Sequence, residues 1–446
     1  MSYQCEVCGH RSIKWMGFCP QCRSDGALIE ERRPSIAAKR AAKAAVVSIA
    51  NIDGVAESRR SIGIGELDRV LGGGLVPGAV ILMGGEPGVG KSTLLLQAAG
   101  ALAASGGTAL VATAEESAHQ VGIRARRLGV DHPAVLLAAE RDVDSIVAAA
   151  AEIRPDLLVV DSVQTVGVAE VGGSPGGVAQ VRESAARLIH FAKESGVPVV
   201  LVGHITKDGG IAGPKLLEHV VDVVLYLEGD VERGLRMVRS LKNRFGATHQ
   251  VGLFEMRDIG MIEVPDPSEW MLAKWRGSVP GSVVFPAIDG RRPMLVEVQA
   301  LVAEATTPQP RRSVQGIEAA RVHQLLAVLE RHAGLGFAGK DVYVGVVGGI
   351  RLRDPGADLP TALAIVSSLL DEPTGPIAAW GEVGLTGEVR SVAHHDRRAE
   401  EVARLGIEKV VAPAGNGRDR IERALQTAGL LPGQTAGVGV SGSRAV

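Results

Sequence analysis

The string Gly85-Glu86-Pro87-Gly88-Val89-Gly90-Lys91-Ser92 fits the spacing G-x-x-x-x-G-K-[ST]; it follows the apolar run AVILM and opens the helix-like stretch STLLLQAAGALAA. That spacing binds phosphate. Glycines let backbone N–H groups turn inward, and the helix that starts there presents its positive end. Lys91 is placed to reach the β- and γ-phosphates, Ser92 to ligand magnesium, and Thr93 to complete the loop. The expected ligand is ATP with Mg2+. Asp161 ends the apolar run LLVVD, where a carboxylate at a strand's carboxyl edge would help hold the metal, although a turn or helix-cap role suits the same position. Glu115 and Glu116 follow another such run, LVATA. Either can orient an attacking water, and both also suit the first turn of a helix.

Cys5-x2-Cys8 and Cys19-x2-Cys22 lie ten residues apart and are the only cysteines in the chain. Two such knuckles close a tetrahedron of four thiolates, the ligand set of structural Zn2+. An iron-sulfur site or two redox pairs are the alternatives. A head of some 30 residues buries too little apolar surface to fold alone, so the metal would supply most of its folding free energy.

The elements that must position these residues alternate. AVILMGG, TALVATA, DLLVVDS, PVVLVGH and VVDVVLYLEG have the look of buried strands, with helical spacing between them, as in VRESAARLIHFAKESG. That order implies a mostly parallel α/β sheet covered on both faces. Two long Gly-rich loops leave its ligand side, SVQTVGVAEVGGSPGGVAQ after Asp161 and HITKDGGIAGPK after PVVLVG. His204 in the second is placed to sense the γ-phosphate or to bond within the core, and Lys207 and Lys215 are candidate DNA contacts.

The expected organisation is a zinc ribbon over 1–30, a charged Ala-rich linker over 31–58, an ATPase over 59–277 and a further α/β unit over 278–446. With 48 basic and 50 acidic side chains, the net charge of -2 excludes a general polyanion binder, so any DNA surface is local. No apolar run approaches about 18 residues and no signal-peptide core is present, which reads as a cytoplasmic protein with no membrane partner. The 57 glycines show no triplet period and belong to loops.

Together the four-Cys head, GGEPGVGKST, ATAEES, VVDSVQT, GHITKDG and above all Lys242-Asn243-Arg244-Phe245-Gly246 resemble the bacterial RadA (Sms) family of DNA repair proteins. The resemblance implies a RecA-like P-loop ATPase core in a hexameric ring. It implies binding of single-stranded and branched DNA and branch migration or unwinding in recombination, with the recombinase RecA as a candidate partner. It makes Glu115 the water-activating acid, Asp161 the magnesium helper, and Lys242 and Arg244 cations that act across a subunit boundary.

The C-terminal unit resembles the proteolytic domain of Lon through GGIRLRDPGADLPTALAIVSS and GEVGLTGEVRSV. It departs at both catalytic positions: Ala357 stands where the serine is expected and Asp396 where the lysine is expected. Ser367 and Ser368 fall on a helix past the expected turn. An inactive scaffold is therefore expected, with Arg311, Arg312, Arg397 and Arg398 as loose phosphate contacts. A Lon-type ATP-dependent peptidase and a non-motor recombinase loader are the competing readings.

Overall fold

The computed structural model describes residues 3–5, 7, 10–12, 16–25, 28–30, 59–203, 217–229, 234–273, 275, 277, 279–415 and 419–432. The chain divides into two units, Met1–Glu57 and Ser58–Val446. In the first, β1 (Tyr3–Cys5) pairs antiparallel with β2 (Arg11–Ser12) and with β3 (Leu28–Glu30). The expected linker over 31–58 lies outside the described residues.

The second unit begins with a nine-stranded sheet. Six strands run parallel: β4 (Val80–Gly85), β5 (Ala109–Thr113), β6 (Val135–Ala139), β7 (Leu157–Asp161), β8 (Val199–Val202) and β9 (Val223–Gly229). An antiparallel meander, β10 (Leu235–Asn243), β11 (Val251–Arg257) and β12 (Gly260–Glu263), extends it to the order β12-β11-β10-β9-β4-β8-β7-β5-β6. Periodicity alone foresaw neither β6 nor the meander.

Alternation along each strand feeds two cores. Ile81 and Met83 of β4 pack with α1 (Gly65–Leu71), α2 (Lys91–Ala104) and α3 (Ala118–Leu128). Val80 and Leu82 face α4 (Val143–Ile153) and α5 (Val178–Ser195). Local chemistry fixes where these helices begin. Ser117 and Gln120 form a reciprocal capping box at α3, and Asp142 caps α4, each worth about 1 kcal/mol.

A helix α6 (Pro267–Leu272) leads into a six-stranded sheet of order β15-β16-β14-β13-β17-β20. Its strands are β13 (Ser282–Asp289), β14 (Arg292–Glu304), β15 (Arg312–Gln315), β16 (Lys340–Val346), β17 (Ile377–Ala379) and β20 (Lys409–Val411). A two-stranded ribbon, β18 (Glu382–Val383) with β19 (Val389–Arg390), stands apart from it. Helices α7 (Ala319–Ala333), α8 (Asp358–Leu370), α9 (His395–Arg404) and α10 (Ile421–Ala428) complete the unit. Helix α8 is buried from Asp358 through Ser367, and its Leu359, Leu363, Ile365 and Val366 each contribute roughly 1.5–3 kcal/mol of burial.

One apolar core runs from Leu235 and Leu253 of the meander into the six-stranded sheet. Polar contacts cross the same boundary, the buried pair of Arg292 with Glu66 and the partly exposed pairs of Arg239 with Asp289 and Glu228, and the buried Ser268 of α6 donates to Glu401 of α9. Among the described residues, no helix is long and apolar enough to cross a membrane.

Candidate nucleotide site

The loop Gly85–Gly90 joins β4 to α2 at the carboxyl edge of the parallel strands, where ligands of open α/β sheets bind. Two glycines there are obligatory. Gly85 has φ of 152°, and a Cβ on it would lie 2.4 Å from the Leu227 carbonyl oxygen. Gly90 has φ of 110° and rests against the methyl groups of Met256 and Met261. The Lys91 ammonium folds back to donate to the carbonyls of Gly85 and Glu86, each at 2.9 Å. Burial pushes this lysine below its ordinary range, against the opposing pull of Asp161 and Glu115.

Asp161 ends β7 in register with Thr113, the last residue of β5. Ser92, Thr113, Glu116, Arg124 and Asp161 line one small cleft beside the loop. The two glutamates differ. Glu116 pairs with Arg124 at 2.7 Å, whereas Glu115 accepts from the Ser162 hydroxyl at 2.8 Å and acts electrostatically on Lys91. Both precede the Ser117 cap, so neither belongs to the first turn of α3.

Three supporting residues escaped the sequence reading. Arg236, at the start of β10, is almost fully buried and donates through Nε to the Val89 carbonyl at 3.0 Å, bracing the loop crest. Ser162 holds Glu115. Asp222 accepts from the Val80 N–H at 3.0 Å and pairs with Lys193 and Arg244. Arg236 and Ser162 stand at or beside a residue from a distant strand, a proximity that only the sheet pairing creates.

Lys242 and Arg244 stand on the other side. Lys242 is level with Val224, hence with Leu82, three residues back from Gly85 and two strands across. That is about 10 Å in each direction. The Lys242 ammonium donates to the carbonyls of Glu218, His219 and Val221, and burial together with Arg244 lowers its pKa. Arg59 holds the following turn by donating to the carbonyls of Phe245 and Gly72. His204, Lys207 and Lys215 lie outside the described residues.

In the first unit the sulfurs of Cys5, Cys19 and Cys22 lie within 4.8 Å of one another, with Cys5 and Cys22 3.6 Å apart. Zinc–sulfur bonds of about 2.3 Å place tetrahedral ligands about 3.8 Å apart, so the three thiols fit a metal. Cys8 lies outside the described residues.

At the positions of the six-stranded unit that the sequence resemblance singled out, the placements differ. Ala357 is buried in the turn before α8 and Asp396 is exposed on α9. Ser367 is bonded to Gly281 and Glu372, and Ser368 accepts from Val302. Arg398 is a correction: it is 1% exposed, pairs with Asp354 at 2.5 Å, donates to Pro286 and lies over the Phe285 ring, so it cannot meet a phosphate. Arg312 likewise spends its guanidinium on the carbonyls of Lys340 and Phe337. A cavity of about 510 Å³ between Val279–Ser282 and β14–β16 is lined by no residue of the phosphate loop.

The sheet order, the loop and the cysteine cluster define a RecA-like P-loop ATPase with an N-terminal zinc ribbon. Residues 55–210 match the family described as AAA domain, and residues 3–30 the family described as rubredoxin metal binding domain. The chain is 44% identical over 421 residues to the DNA repair protein RadA of Bacillus subtilis, covering 92% of each chain. It is 44% identical over 449 residues to that of Brucella abortus, covering 96% of each. With that of Mycolicibacterium smegmatis it shares 47% over 427 residues, 93% of this chain and 91% of the relative. The chain belongs to the RadA family of DNA repair proteins.

Proposed function

We propose that this chain is a DNA-dependent ATPase of homologous recombination that works as a hexameric ring in the cytoplasm, binding single-stranded DNA and driving branch migration. The single observation that carries the reading is the sidedness of its charges. Lys91, Glu115 and Asp161 gather at the carboxyl edge of the sheet, while Lys242 lies on β10 two strands from β4 and level with Leu82, back from that edge, and Arg244 follows it, paired with Asp222. Cations so placed serve a neighbouring copy. A positive charge delivered to a γ-phosphate across a subunit boundary stabilises transition-state charge only in the assembled ring.

Within one copy, the Gly85–Gly90 amides and Lys91 hold the triphosphate, with Lys91 exchanging two carbonyl acceptors for phosphate oxygens. Ser92 and Asp161 face one cleft and are the residues that would hold magnesium, which neutralises phosphate charge when bound. Glu115 takes the proton of the attacking water, because Glu116 is committed to Arg124. The unit after residue 277 is a Lon-like scaffold without peptidase chemistry, since Ala357 supplies no nucleophile and Asp396 no basic amine.

A branch-migration assay on synthetic three-strand DNA tests the reading. Wild type should move the junction, Lys91→Ala should neither hydrolyse ATP nor move it, and Lys242→Ala should bind ATP yet turn over at least about 10²-fold more slowly. Full-rate hydrolysis by a monomeric preparation in the presence of oligonucleotide would overturn it.

A further inference from the structure

Loop 162–177 leaves the carboxyl edge of the sheet between β7 and α5, and its first turn is tied to Glu115 by two separate routes. The first is a side chain. Ser162 is fully buried and its hydroxyl donates to the Glu115 carboxylate at 2.8 Å. The same Ser162 is locked to Thr165: its N–H donates to the threonine hydroxyl at 3.2 Å, and that hydroxyl donates back to the Ser162 carbonyl at 2.9 Å.

The second route runs through Arg141. Its carbonyl accepts from the Gly167 N–H at 2.9 Å, and its guanidinium donates through Nε to the Ala114 carbonyl at 3.2 Å, one residue before Glu115. Further along, Gln180 is buried and bonds the loop backbone at Val168 and Val171. Residues 165–171 therefore cannot shift as a body without pulling on the Glu115 side chain, its backbone, or both. The remainder of the loop is exposed, with Glu170, Gly172, Gly173 and Ser174 at the surface.

We infer that Ser162 is a positioning residue through which single-stranded DNA on loop 162–177 sets the orientation of Glu115, so that hydrolysis follows DNA occupancy. The inference rests on the reading of Glu115 as the water-activating acid. A carboxylate held by a buried hydroxyl is fixed in one orientation, and a displacement of that hydroxyl by less than an ångström is enough to change alignment with the attacking water. Because Ser162 has no exposed surface, it makes no contact with DNA itself.

The test measures ATP turnover with and without oligothymidylate in full-length wild type, Ser162→Ala, Ser162→Thr, Arg141→Ala and Glu115→Gln, with ATP and DNA affinities measured in parallel. Ser162→Ala should lower kcat about ten-fold or more at unchanged KM for ATP and unchanged DNA affinity. The ratio of stimulated to basal turnover should fall to about 1. Ser162→Thr, which keeps the hydroxyl, should recover most of that ratio, and Arg141→Ala should reduce it through the second route. A Ser162→Ala protein with wild-type stimulation, or one whose basal and stimulated rates fall by the same factor, overturns the relay. Should Ser162→Ala fail to fold, wild-type stimulation in Arg141→Ala overturns it instead. Hydrolysis by Glu115→Gln at the wild-type rate is a different failure, that of the water-activating assignment, and it removes the relay's endpoint as well.

Discussion

The phosphate loop before α2 and the turn before α8 are both Gly-containing, and each leads into a helix whose first residue, Lys91 or Asp358, is buried. Their charges are arranged in opposite ways. At the first, the Lys91 ammonium rests on two carbonyls, acceptors that a phosphate oxygen can replace at little cost. At the second, the buried charges Asp358 and Arg398 are matched internally. Asp358 is bonded to Arg321 and to the Val383 N–H, and Arg398 is bonded to Asp354 and Pro286. A turn becomes a site when its charges are held by partners that a ligand can displace, and becomes scaffold when they neutralise one another.

The largest effect should come at the first turn. Lys91→Ala removes the charge aimed at the phosphates and should lower ATP turnover by about 10²–10³-fold in a phosphate-release assay, with the melting curve close to wild type. Retained turnover would break the contrast at its functional end.

Next in size is Arg398→Ala, which leaves Asp354 without its charge partner and removes the guanidinium donor from the Pro286 carbonyl. A loss of roughly 3 kcal/mol is expected in denaturant unfolding. A variant as stable as wild type would show that this arginine is not structural.

Smaller still is the outcome of restoring chemistry. Ala357→Ser together with Asp396→Lys should yield no labelling by a serine-reactive probe, because position 396 is exposed and lacks the burial that strongly depresses a lysine pKa. Labelling would mean that the second turn is a dormant site.

The smallest effect concerns pH. Arg404 holds Asp266 below the ordinary carboxylate range, with help from the Glu269 N–H. Burial works to push Glu401 up, yet the Arg404 guanidinium and the Ser268 hydroxyl keep it low as well. Both pKa values are depressed on folding, so their contribution is full at neutral pH, begins to be lost as pH falls below the ordinary carboxylate value of about 4, and is gone once pH passes the lower folded-state values. Arg404 is nearly half exposed, so Arg404→Gln should cost no more than about 1 kcal/mol at pH 7, and that gap should close on acidification. A gap that widens toward low pH would reverse the assignment.

What the sequence discloses follows the range of its interactions. Gly85–Ser92 and Asp161 are legible because strand, turn and helix are consecutive there. Arg236 is not, since its partner Val89 lies 147 residues away and only the pairing of β10 with β9 and of β9 with β4 brings them together. Ser162 was read as the start of a loop, and its tie to Glu115 needs the adjacency of β5 and β7. Arg398 misled for another reason. In HHDRR it looks like a solvated charge, and only the tertiary packing of α9 over Phe285 turns it inward. Lys242 and Arg244 were marked by family resemblance, while their distance from Gly85 came from strand register.

The Arg292–Glu66 pair gives the two sheets a common fate. Arg292 also donates to the carbonyls of Val251, Val264 and Pro265, so one guanidinium rivets the first helix of the ATPase, the meander and the six-stranded unit at a single point. Any tilt of the ATPase during a nucleotide cycle must then swing the C-terminal mass with it, as an oar turns with its handle, and a small rotation near the phosphates arrives at the far end as a larger sweep.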